Sequence, residues 1–148
     1  MIGSKLDFDF PLLRKEGYRV TSPAERDYNC IAWTFGDTSR WWWPDKYLQY
    51  YWPPNVKRDE TLESFIEAFK NIGFEICEKA EREEGLEKIS IYTKPDRTPT
   101  HAARQLENGT WTSKLGQSED IEHNFDSLTG PCYGSVAVIM KRPIQKNE

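Results

Sequence analysis

Apolar residues recur at Leu62, Phe65, Ile66, Phe69 and Ile72, a spacing of three and four that lays one stripe along an α-helix. The stretch DETLESFIEAFKNIG, residues 59–73, is therefore predicted helical, capped by Asp59 or Thr61 and ended by Gly73, with a structural role. Beyond it the period changes to two. FEIC, EKISIYT with Ile89 and Ile91 between polar neighbours, THAARQL, TWTSKL and a last apolar run in YGSVAVIMKRP all read as strands. Asn108-Gly109 between THAARQL and TWTSKL signals a hairpin, because a tight two-residue turn needs positive φ. SEDIEHNFDSL is expected to form a short helix. Upstream, the chain reads as irregular to about Gly17, GYRVTS as a short extended segment, and residues 29–35 as a short helix. In that helix Asn29 is the cap, Ile31, Ala32 and Phe35 form the apolar face, and Gly36 is the stop.

Residues 40–54, RWWWPDKYLQYYWPP, hold four of the six tryptophans and three tyrosines, broken by Pro44, Pro53 and Pro54. Prolines remove backbone donors and interrupt regular structure, so the segment reads as a loop-rich aromatic insertion. Its rings either fill a core or, through Trp41, Trp42, Trp43 and Trp52, wall a cleft for an apolar, aromatic or sugar-ring ligand. The element order predicts one α+β domain over residues 1–148: a cysteine-bearing helix packed on a small antiparallel sheet, the insertion at 40–54, and a charged C-terminal tail. At 148 residues such a chain buries about two-thirds of its unfolded surface.

The net charge of −4 comes from interspersed acids and bases with no basic block, which argues against nucleic acid as a partner. MIGSKLDFDFPLL lacks a cationic leader and a signal-length apolar stretch, and nothing downstream approaches the roughly 18 apolar residues of a membrane span. The expectation is a cytoplasmic protein with no membrane contact. Three cysteines, Cys30, Cys77 and Cys132, with no C-x-x-C pair, argue for reduced thiols and against a disulfide framework or a structural zinc. Cys30, His101 and His123 have no metal-ligand spacing, so no metal is expected. Asn108-Gly109-Thr110 matches a glycosylation sequon, read here as a turn.

Cys30 falls in the first turn of its helix, where unpaired N–H groups and the helix dipole favour a thiolate. The two histidines, His101 and His123, lie in the sheet-rich half. His101 begins the hairpin, and the turn at Asn108-Gly109 folds Ser113 or Lys114 back toward it as an orienting partner. Cys77 and Cys132 have no such setting and read as structural thiols.

A cysteine opening a helix, a histidine on a strand and a polar residue about a dozen positions later on the next strand resembles NlpC-type and CHAP-type papain-like hydrolases. The resemblance assigns Cys30, His101 and Ser113 as catalytic residues, Ser113 standing where those enzymes carry His, Asn, Asp or Gln. Tyr18, twelve residues before Cys30, falls where NlpC-type enzymes carry an oxyanion-side tyrosine. YNCIAW, PTHAARQL, WTSKLG and DIEH also look like a group of small bacterial domains sharing an N-C-x-x-A-W, T-H-x-A, S-K-x-G and H series. The implied fold is papain-like α+β. The implied function is a thiol hydrolase or acyltransferase, peptidase-like or amidase-like, acting on a peptide or another amide or ester.

On that reading Cys30 attacks the carbonyl, His101 takes and returns the proton, and the Cys30 backbone N–H with Tyr18 stabilises the oxyanion. Asn29, Lys114 and His123 are accessory candidates. No cofactor is required, and the Cys30 pKa is expected to be lowered. The alternative is a non-catalytic binding or immunity-like module that uses the Trp/Tyr-rich surface. One feature separates the two: catalysis needs Cys30 accessible and within reach of His101, whereas a binder can bury the thiol. Oligomeric state is not set by the sequence.

Overall fold

The computed structural model describes residues 18–22, 29–36, 40–114, 120–130 and 133–144. Among the described residues seven strands form one sheet: β1 (Tyr18–Ser22), β2 (Glu75–Cys77), β3 (Leu86–Thr93), β4 (Pro99–Gln105), β5 (Trp111–Lys114), β6 (Asp120–His123) and β7 (Ser135–Pro143). Their order is β1-β6-β5-β4-β3-β7-β2, and every pairing is antiparallel. The described helices are α1 (Cys30–Thr34), five residues long, and α2 (Leu62–Lys70), nine residues long. This is a mainly β fold, which corrects the expected papain-like α+β arrangement. One reason lies in DIEH: Ile121 is buried between Val20 and Ser113 of the neighbouring strands, so the stretch expected as a helix alternates and pairs as β6.

The remaining elements follow their sequence signals. Thr61 rather than Asp59 caps α2, its Oγ1 accepting from the Ser64 N–H at 3.2 Å, while Asp59 accepts from the Thr61 and Ser64 hydroxyls. Gly109, at φ 90°, supports the β4–β5 turn. The aromatic insertion has no helix or strand of its own beyond a bridge between Trp42 and Tyr51. The N-terminal stretch to Gly17, Gly116, Cys132 and the last four residues of the charged tail lie outside the described residues.

Side-chain alternation gives the sheet two faces with separate cores. On the first face Ile89, Ile91, Ala102 and Met140 pack with Cys30, Ile31, Trp52, Leu62, Phe65 and Phe69 from α1, the insertion and α2. On the second, Tyr92, Ala103, Trp111 and Ile121 pack with Leu128, under Phe125 and Tyr133 from the 124–134 segment. Each face buries several large side chains, at about 1.5–3 kcal/mol for each fully buried one.

Candidate functional site

Asn29 sets the start of α1 and ties it to the aromatic insertion. Its Oδ1 accepts from the Ala32 and Trp42 N–H groups, each at 3.1 Å, and its Nδ2 donates to the Trp42 carbonyl at 2.8 Å. Cys30 follows, 6% exposed, and packs against Ala102 of β4. The Thr34 hydroxyl lies 2.6 Å from the Cys30 carbonyl and 3.3 Å from that of Ala102, holding the helix to the strand.

Two effects compete at the Cys30 thiol. Burial in an apolar site disfavours the thiolate, while the N–H groups of Ala102, Ile31 and Cys30 and the charge of Lys114 favour it. Burial wins and pushes the thiol up to about 11. The expected lowering of the pKa is thereby reversed.

His101 points the other way. It stands opposite Tyr92 across the β3–β4 ladder, one residue out of phase with Ala102, and its ring stacks on Tyr133 at 4.2 Å and 4°. Its edge contact with the Tyr92 ring, 5.2 Å away, belongs to the second face. Among the described residues neither ring nitrogen has a hydrogen-bond partner. Burial, with His123 nearby, holds the imidazole well below its ordinary pKa. Cys30 thus packs in the first core and the His101 ring with the second, and Tyr133 both lines the Cys30 cleft and stacks on His101.

Ser113 serves a different histidine. Its Oγ lies 2.7 Å from His123 Nε2, and His123 Nδ1 lies 2.7 Å from the Asn124 carbonyl. A carbonyl only accepts, so Nδ1 carries the proton and the Ser113 hydroxyl donates to Nε2. Burial pulls His123 down to about 4, against the Asn124 carbonyl and Glu122, which favour its cation. Lys114, one residue on, is fully buried and lies on the Cys30 side, where its charge acts on the thiol. Tyr18 opens β1 opposite His123, and its side chain lies outside the described residues.

A cleft of about 340 Å³ opens beside Cys30 and Asn29, lined by Trp41, Trp43, Tyr50, Thr100 and Tyr133. Of the four tryptophans expected as a wall, Trp41 and Trp43 line it. Trp42 instead stacks on Phe35 at 4.4 Å, and Trp52 is core, 3% exposed against Phe65. Tyr50 comes from the same aromatic insertion, whereas Thr100 and Tyr133 carry no signal of a site in the sequence. Tyr133 is followed by Gly134, at φ +78°, where a Cβ would sit 2.0 Å from the Thr93 carbonyl oxygen. A wider hollow of about 690 Å³ lies along the β2–β7 edge, away from Cys30 and the aromatic insertion.

Among the described residues no group of His, Cys, Asp and Glu is placed to hold a metal ion, and no helix is long and apolar enough to cross a membrane. Fold and site together define a mainly β protein on a seven-stranded antiparallel sheet, with a ring-walled cleft beside a buried cysteine. The chain belongs to the family described as Domain of unknown function (DUF7689), which matches residues 19–141 and so includes every residue of the cleft. No curated protein and no solved structure matches it. The family match neither supports nor opposes the likeness to NlpC-type enzymes.

Proposed function

We propose that this chain is a non-catalytic binding module whose cleft at Cys30 takes a flat, apolar ring. The observation that carries the reading is a buried, neutral thiol on one face of the sheet and His101 on the other. Thiol catalysis needs a thiolate and a base in reach. With the thiol at about 11, roughly one molecule in ten thousand carries the thiolate at pH 7.

The cleft's surface favours rings over hydroxyl-rich ligands. Asn29 uses its amide on the backbone of Ala32 and Trp42, and the Thr100 hydroxyl lies 2.5 Å from the Tyr133 carbonyl. What faces the ligand is chiefly the walls of Trp41, Trp43, Tyr50 and Tyr133. A planar apolar group gives up no hydrogen bonds to water on entering such a cleft and gains stacking on its walls. Its volume, about 340 Å³, is at the small end for ligand sites, which run from about 300 to 1,000 Å³. Cys30 then serves as a small, polarisable floor.

Saturation-transfer NMR with indole tests this. Transfer is expected with the native chain and with Cys30→Ala, and binding about fivefold weaker with Tyr50→Ala, for about 1 kcal/mol of lost ring contact. Tyr50 is 42% exposed, so its truncation spares the core. Hydrolysis of a p-nitrophenyl ester that disappears in Cys30→Ala would instead return the chain to the thiol-hydrolase reading.

A further inference from the structure

Beside the cleft, the 46–50 tip of the aromatic insertion exposes Tyr47 at 72%, Leu48 at 73% and Tyr50 at 42%. Large apolar side chains held out in water next to one another are a mark of interaction surfaces. The tip is also fixed in place. Asp45 accepts from the Gln49 and Tyr50 N–H groups at 2.9 and 3.1 Å, and the Arg58 guanidinium lies 3.1 Å from the Asp45 carboxylate and from the Tyr50 carbonyl. Below it the two arms of the insertion are joined by Trp43 N–H to the Tyr51 carbonyl at 2.9 Å and Tyr51 N–H to the Trp41 carbonyl at 3.1 Å. Leu48 sits at φ 58°, a left-handed conformation that a leucine keeps only where its surroundings impose it. A rigid apolar tip loses little freedom on binding, which favours association.

The charge of this surface differs from that of the whole chain. Over residues 40–50 the basic side chains are Arg40 and Lys46, both exposed, and Asp45 is the single acid. That carboxylate is turned inward onto Gln49, Tyr50 and Arg58. Arg40 lies over the Tyr51 ring at 3.5 Å and Lys46 near the Tyr47 ring at 5.1 Å, so both cations stand among the rings of the tip and its base. Lys46 is the cation of the tip itself, and because salt screens charges beyond about 10 Å at 0.1 M its sign acts on a docked partner despite the net −4.

We propose that the 46–50 tip and the Cys30 cleft form one docking surface for an acidic segment of a partner protein, which places an aromatic side chain in the cleft. This rests on the ring-binding reading above and adds to it the partner's class and charge. An aromatic anchor in a pocket with complementary charges at the rim is the usual division of labour at such surfaces.

Fluorescence polarisation with three labelled peptides, Glu-Glu-Trp-Glu-Glu, Lys-Lys-Trp-Lys-Lys and Glu-Glu-Ala-Glu-Glu, tests it at about 50 mM salt. The acidic tryptophan peptide is expected to bind about tenfold tighter than the basic one. The alanine peptide should bind far more weakly, Lys46→Glu should remove the acidic preference, and Leu48→Ser should weaken binding severalfold. Equal binding of the two tryptophan peptides overturns the acidic partner while leaving the ring reading standing. Equal binding of the alanine and tryptophan peptides makes charge the sole cause and also overturns it. Failure of all three peptides together with failure of indole overturns the ring reading itself. Dimerisation in sedimentation that Leu48→Ser abolishes would give the tip to a second copy of the chain and overturn the proposal in favour of self-association.

Discussion

His123 shows how strongly a single side chain can depend on its surroundings. With Nδ1 donating to the Asn124 carbonyl and Nε2 accepting from Ser113, both nitrogens are satisfied in the neutral form, and burial disfavours the cation. Its folded pKa of about 4 lies below the ordinary 6.5, so between those values the unfolded chain binds more protons than the folded one. Stability is therefore complete above pH 6.5 and falls as pH drops toward 4, by about 1.4 kcal/mol per pH unit for each such imidazole. His101, buried and also lowered, acts in the same direction. Urea melts at pH 7, 6 and 5 should show that loss in the native chain and a shallower one in His123→Gln, where the glutamine amide can bond Ser113 without titrating. A native midpoint that is flat over this range would contradict the assignment. Sequence exposed the two histidines and the nearness of Ser113 to the hairpin, but not which histidine Ser113 serves. That depends on β6 pairing with β5, a long-range partnership that the short stretch SEDIEHNFDSL does not announce by itself.

At the scale of elements, α1 was legible because its cap is local: Asn29 accepts from Ala32 three residues on, and the apolar run ends where the chain turns at Gly36. The cleft's far wall was not, because Tyr133 reaches it from a turn distant in sequence. That turn is fixed by reciprocal backbone bonds between Gly130 and Gly134 at 3.0 and 2.8 Å, and by Thr100 Oγ1 at 2.5 Å from the Tyr133 carbonyl. Gly134 has no room for a side chain against the Thr93 backbone and has positive φ besides. Gly134→Ala is expected to lower stability by about 3 kcal/mol or more and to withdraw Tyr133 from both His101 and the cleft. A urea melt checks the first effect and indole binding the second. A variant within about 0.5 kcal/mol of the native chain would mean that the turn is not locked as described.

For the whole molecule, the sequence carried the strand content of the second half and the presence of two packed helices, while the papain-like assembly did not survive. A hairpin's parity can be read along one strand: His101 and Ala103 share a face, and Ala102 has the other. Which face receives α1 cannot be read that way, because it is decided by where the aromatic insertion and α2 find apolar cover. They find it with Ile89, Ile91, Ala102 and Met140, so Cys30 is buried on the side away from the His101 ring. Cys30 and the His101 ring thus belong to different cores of the molecule. The most direct measurement of that separation is the pH profile of iodoacetamide labelling at Cys30, followed by mass spectrometry with half-buried Cys77 as internal reference. In the native chain Cys77 is expected to react before Cys30, Cys30 to gain reactivity only toward its folded pKa of about 11, and His101→Gln to leave the profile unchanged. Fastest labelling at Cys30, with a midpoint in the activated range of about 3.5 to 7.5 that rises when His101 is replaced, would contradict that separation.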